Sequence, residues 1–169
     1  MNILNTPISE EDIKKLKVGD MVYVSGNIFC GRDMVLPKIV ELIKNGREDE
    51  LGVDLYGGAI LHTAVSIAGI GPTSSNKIEI EDSIIPLSEA GVKLHIGKGK
   101  ISDATIEGLA KNNSIYAIVP PVSALLGKLV TDRSAILFPE LGMEAFYLLV
   151  MERMPIIVAA AHGENIYDR

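Results

Sequence analysis

Three short segments of the chain set cationic or hydroxyl side chains directly or shortly after a glycine. Gly31-Arg32-Asp33 puts a guanidinium next to a carboxylate. An arginine can grip a carboxylate through two parallel hydrogen bonds. Gly71-Pro72-Thr73-Ser74-Ser75-Asn76-Lys77 gathers hydroxyls, backbone donors and an ammonium in one stretch. Such a stretch can surround an oxyanion. Gly97-Lys98-Gly99-Lys100 sets a lysine between residues that leave the backbone unshielded. Neither glycine-rich segment is a nucleotide motif. After Gly69-Ile70-Gly71 the next glycine of a dinucleotide fingerprint is missing, and glycine rather than Ser or Thr follows Lys98. Taken singly, each segment has a plainer reading: a surface arginine beside an N-cap aspartate, a polar turn, and a β-turn with solvated lysines. Together, in a protein of net charge −6, they supply what a dicarboxylate requires, a cation for each negative end.

Composition narrows the remaining choices. The chain has 169 residues, 47% of them apolar, which suits one domain (1–169) with a core that needs no disulfides. The acidic balance excludes a general nucleic-acid footprint. The one cysteine, Cys30, can form no internal disulfide and cannot hold an iron–sulfur cluster. His62, His95 and His162 show no metal-ligand spacing, so no metal site is expected on this chain. The start Met1–Asn5 lacks the basic and apolar regions of an export signal, and no apolar run is long enough for a bilayer. A soluble, cytoplasmic protein without membrane attachment is the expectation.

The elements that must position these segments follow from local pattern. Residues 8–18 predict a short helix capped by Ser9 and ended by Gly19-Asp20. Met21–Ser25 reads as a strand. Residues 33–45 read as a helix with Asp33 as N-cap, Pro37 in its first turn and Gly46 as its stop. Residues 58–66 form a buried strand, and 69–77 a loop without regular structure. Residues 92–96 form a strand ending at Gly97. Ser102-Asp103 caps a helix through about Lys111, and Ile115–Val119 is a strand closed by Pro120-Pro121. Leu141–Arg153 has helical composition, and Pro155–Ala159 is a final strand. Strands alternating with helices predict an α/β fold, and the strand-rich first half predicts a mixed sheet.

With these segments in place, the chain resembles the β subunit of class I fumarases and L-tartrate dehydratases, equivalent to the C-terminal domain of the single-chain enzymes. The likeness covers most of the chain. It runs through Gly31-Arg32-Asp33, the Gly71–Ser75 loop, His95-Ile96-Gly97-Lys98-Gly99, Leu141-Gly142-Met143-Glu144-Ala145, Pro155–Ala161 and Gly163-Glu164-Asn165. The resemblance implies a swivelling β/β/α domain with a mixed sheet and flanking helices. It also implies a partner, an α subunit carrying a four-iron, four-sulfur cluster, and none bound by this chain. By resemblance, Thr73 is the candidate base. Arg32, Lys77, Lys98, Ser74 and Ser75 bind the substrate, with Asp33 and His62 as further candidates. The implied reaction is the interconversion of fumarate and (S)-malate, a step of the tricarboxylic acid cycle. Fixed cations suit this chemistry because charge from the abstracted proton's carbon spreads into a carboxylate.

Two positions depart from the family pattern. Leu36 stands where the family often has histidine, and Lys77 where it usually has arginine. Lysine keeps the charge but loses the planar fork. The alternatives are therefore a tartrate or other hydroxyacid dehydratase subunit, or a non-catalytic assembly domain of the same fold. The apolar excess suggests a partner face, with self-association when the chain is alone.

Overall fold

The computed structural model describes residues 2–66, 69–73, 77–120 and 129–168, with backbone alone for 64–66, 69–73, 77–80 and 168. The architecture is built on one long antiparallel pair. Strand β2 (Met21–Cys30) runs beside β9 (Phe146–Ala161) from Met21↔Ile157 to Cys30↔Tyr147. On its other side β2 pairs in parallel with β3 (Ala59–Leu61), which continues to β6 (Leu94–Gly97) and β7 (Ile115–Ile118). Strand β7 then meets β9 antiparallel, so β2, β3, β6, β7 and β9 close into a ring.

The period-2 alternation of strands sorts the side chains. Val22, Val24, Ile28, Cys30, Leu61 and Ile96 fill the interior of the ring, while Phe29 and Ile60 face outward under the helices. Helix α2 (Leu36–Lys44) covers Phe29 and Ile60 with Leu36, Ile39 and Val40. Helices α3 (Lys77–Glu89) and α4 (Asp103–Lys111) cover Tyr116 with Ile84, Ile106 and Leu109. Peripheral strands complete the sheet: β1 (Asn2–Asn5) on β2, and β8 (Val130–Leu137) and β10 (Glu164–Asn165) on β9. Strands β4 (Thr63–Ser66) and β5 (Gly69–Thr73) form a separate antiparallel hairpin. Helix α1 (Glu10–Lys15) follows β1 along the chain. No described helix is long and apolar enough to cross a membrane.

The mixed α/β architecture agrees with expectation, as do two caps. Ser9 Oγ accepts from the Asp12 amide at 3.1 Å, and Ser102 Oγ accepts from the Thr105 amide at 3.3 Å. Four expectations are corrected. Helix α2 starts at Leu36 rather than Asp33, because the chain first makes a turn in which Val35 and Leu36 amides both bond the Arg32 carbonyl. Asp33 is thus no N-cap. The stretch 58–66 is two strands that part at His62. Residues 69–73 are a strand and Lys77 opens a helix, whereas the whole stretch read as a loop. Leu141–Arg153 is not an α-helix. A 3₁₀ segment, Pro139–Glu144, leads into β9, where pairing with β2 overrides helical composition.

Candidate functional site

Because β2, β3, β6 and β7 are parallel, their C-terminal ends share one edge of the sheet. In α/β folds, open or closed, the C-terminal ends of parallel strands are where ligands usually bind. The register makes the levels explicit: Cys30 stands beside Leu61, Leu61 beside Ile96, and Ile96 beside Ala117. Two residues beyond each lie Arg32, Thr63, Lys98 and Val119. The β4–β5 hairpin returns the chain to the same place, with Thr73 paired to Thr63. Four residues after Thr73, Lys77 begins α3, and the far end of that helix reaches back to bond β6 through Ser88. The backbone thereby brings Arg32, Thr73 and Lys98 to one edge and sets Lys77 at the near end of the next helix. Ser74 and Ser75 lie outside the described residues, as do the side chains of Thr73 and Lys77.

Arg32 is held by Glu144, a residue that the pattern of the sequence does not single out as part of a site. Its Nε donates to both carboxylate oxygens of Glu144, at 2.8 and 3.0 Å, and its Nη2 donates to Oε1. That hydrogen bond, more than any other influence, keeps the guanidinium pKa above its ordinary value. Asp33 is a second, looser neighbour, 3.8 Å from Nε. The pair rests on a firm frame. Gly31 lies so close to Val35 and Phe146 that an added Cβ would come within 2.7 Å of Val35 Cγ1. Phe29 and Phe146, on the two adjoining strands, stack with centroids 5.2 Å apart.

Lys98 is held differently. It is exposed, follows β6 through Gly97, and makes no hydrogen bond or ion pair with the described residues. Gly97 itself has a packing reason, since a Cβ there would lie 2.8 Å from the Tyr116 hydroxyl oxygen.

His62 sits between these two cations in the order of strands, but it is fully buried on the helix-facing side. Its Nε2 lies 3.1 Å from His95 Nδ1, and His95 Nε2 lies 2.9 Å from Ser88 Oγ. Burial lowers the His62 pKa to about 4 and pushes His95 well below its ordinary value, so both rings are neutral at pH 7. Among the described residues His62 Nδ1 has no hydrogen-bond partner. The sequence named His62 as a candidate but gave no sign that His95 and Ser88 extend it into a chain.

Cys30 lies inside the ring, fully buried, and its thiol donates a hydrogen bond to the Thr63 carbonyl oxygen, 3.3 Å from Sγ. Burial raises its pKa strongly, which keeps it a thiol. Among the described residues no group of three His, Cys, Asp or Glu side chains could hold a metal ion.

The model of the family described as Fumarase C-terminus matches residues 2–169. The L(+)-tartrate dehydratase β subunit of Escherichia coli K12 is 32% identical, over 97% of this chain and 85% of its own length. A Methanocaldococcus jannaschii protein with that name, given provisionally, is also 32% identical, over 95% of this chain and 88% of its own. A Geobacillus stearothermophilus protein provisionally named fumarate hydratase class I is 25% identical over 98% of this chain, which spans 33% of that longer protein.

Proposed function

Since the chain belongs to the Fumarase C-terminus family, we propose that it is the β subunit of a hydro-lyase, completing an active site shared with an α subunit. The substrate class is a hydroxy dicarboxylate. The observation that carries this reading is the register that gathers Arg32, Thr73 and Lys98 at one sheet edge.

In this reading Arg32 and Lys98 each hold a carboxylate end, and Lys77, Ser74 and Ser75 supply further donors. Thr73, as its alkoxide, takes the proton from the carbon next to a carboxylate. The electron pair left behind spreads into that carboxylate, where fixed cations stabilise it more than they stabilise the ground state. The carbon–carbon double bond then forms as the neighbouring hydroxyl departs on the partner's side. Cations beside Thr73 favour the alkoxide, which is otherwise a poor species at neutral pH.

The family implies a four-iron, four-sulfur cluster. This chain does not fit it: its one thiol is buried in the ring and held protonated. In this reading the cluster belongs to the α subunit. The chain is one cytoplasmic domain, residues 1–169, that works only in the complex and self-associates when alone.

Two substrates compete. Fumarate/(S)-malate follows from the likeness to class I fumarases. Tartrate is favoured by the names of the relatives that match along most of their own length. A non-catalytic assembly role would draw on the departures at Leu36 and Lys77. Leu36 has a structural reason, since it is buried against the Phe29–Phe146 cluster. The test is anaerobic co-expression with the cluster-bearing subunit, followed by assays for fumarate formed from malate and oxaloacetate formed from tartrate. Turnover of one that needs both chains supports the reading and chooses the substrate. Turnover by the partner without this chain refutes it, and a cluster-loaded complex that turns over neither compound points to another hydroxyacid or to the assembly role.

A further inference from the structure

A guanidinium offers two edges on which a carboxylate can make paired hydrogen bonds. One is the side edge, Nε with Nη2; the other is the end, Nη1 with Nη2. Glu144 occupies the side edge of Arg32. Nη1 makes no bond to any described group, so the end is left open. Both side chains are largely but not wholly covered, at 25% and 20% exposure. The grip is therefore partly shielded from water while still reachable by a ligand.

Both members are fixed from behind by one stack. Phe29 precedes Arg32 by three residues, Phe146 follows Glu144 by two, and the two rings pack face to face. The adjoining strands are locked in register at Cys30↔Tyr147 and Phe29↔Leu148. Gly31 allows the close approach of Phe146 and Val35 that this arrangement needs.

We propose that Glu144 is a positioning residue for Arg32: it clamps the side edge of the guanidinium so that the open end is aimed at a substrate carboxylate. The inference rests on the reading of Arg32 as a substrate-binding group. An arginine held in one rotamer loses little freedom when a ligand arrives, which favours binding. Glu144 also brings a negative charge close to an anion site. A carboxylate that merely filled the site until substrate displaced it would therefore hinder binding, and that is the opposite prediction.

The test is steady-state kinetics of the two-subunit enzyme carrying Arg32→Lys, Glu144→Gln, Glu144→Asp or the Arg32→Lys/Glu144→Gln pair, with thermal unfolding of each complex. Arg32→Lys is read first. If it leaves KM unchanged, the substrate-binding role of Arg32 fails and this inference fails with it. If Arg32→Lys raises KM, the expected result for Glu144→Gln is a rise of about 10- to 100-fold, the span for losing a charge-assisted hydrogen bond. Glu144→Asp should recover part of that loss, and Glu144→Gln should add little on top of Arg32→Lys. A lower KM in Glu144→Gln would show a displaceable place-holder. A lower unfolding temperature with KM unchanged would show a purely structural pair. Either result would overturn the proposal while leaving Arg32 in its role.

Discussion

Arg32 and Lys98 leave strands that flank β3 and stand at the same level of the sheet, yet the protein prepares them in opposite ways. Arg32 is pinned by Glu144 on a stacked aromatic base. Lys98 extends from a glycine-flanked bend with no described partner. One cation has lost its freedom during folding, and the other must lose it when a ligand binds. Ordering a long side chain at an interface costs about 0.5–1.5 kcal/mol. The same formal charge should therefore contribute unequally to binding.

The base of the rigid side is the first place to break that contrast. Phe146→Ala should destabilise the chain by about 3–5 kcal/mol, as expected for a fully buried aromatic. Urea unfolding measures this, and a loss below about 1 kcal/mol would mean that the stack is not the support described.

Next come the cations themselves. Arg32→Ala in the two-subunit enzyme should lower kcat/KM by about 10²–10³-fold, because two charge-assisted bonds are lost and Glu144 is left facing the substrate. Lys98→Ala should cost about 10-fold. Equal losses would erase the distinction between a prepared and an unprepared cation.

The histidine chain beneath the edge sharpens the contrast through pH. His62 has a folded pKa of about 4 against an ordinary 6.5. The unfolded chain therefore takes up protons first as pH falls. Stability from this group is intact above about pH 6.5 and declines until about pH 4, by about 3 kcal/mol in all. Urea midpoints between pH 7 and 4 should show the decline, and His62→Gln should reduce it, the remainder belonging to His95. An unchanged slope in that variant would assign acid sensitivity elsewhere. Smallest is the effect at Cys30. In the native protein it should resist thiol reagents and react only on unfolding, since it is buried and protonated. Rapid native labelling would contradict the placement of Cys30 inside the ring.

Local signals carried much of the framework. The caps at Ser9 and Ser102 and the strands ending at Gly97 and near Pro120 follow from nearby residues alone. What escaped depends on distant partners. Nothing in the turn at Asp33 reveals that the helix waits for Leu36 to reach the Phe29 cluster. Helix α3 contains Pro86 and mixes charged and apolar residues without a clear stripe, which hides it. The stretch Leu141–Arg153 carries three Leu, two Met and two Glu, and from Phe146 onward it is a strand because β2 and β8 lie alongside. The site shows the same division. Arg32, Thr73 and Lys98 stand out by type and by glycine context. Glu144 is separated from Arg32 by more than a hundred residues, and only the closed sheet brings the two together.

The most direct test of the shared-edge account is turnover by the anaerobically assembled two-subunit enzyme, wild type against Thr73→Ala, at matched cluster content. The account predicts that turnover needs both chains and that Thr73→Ala lowers kcat by about 10²–10⁴-fold, the range for a general base. A partner that turns over without this chain, or a Thr73→Ala enzyme with kcat unchanged, would contradict it.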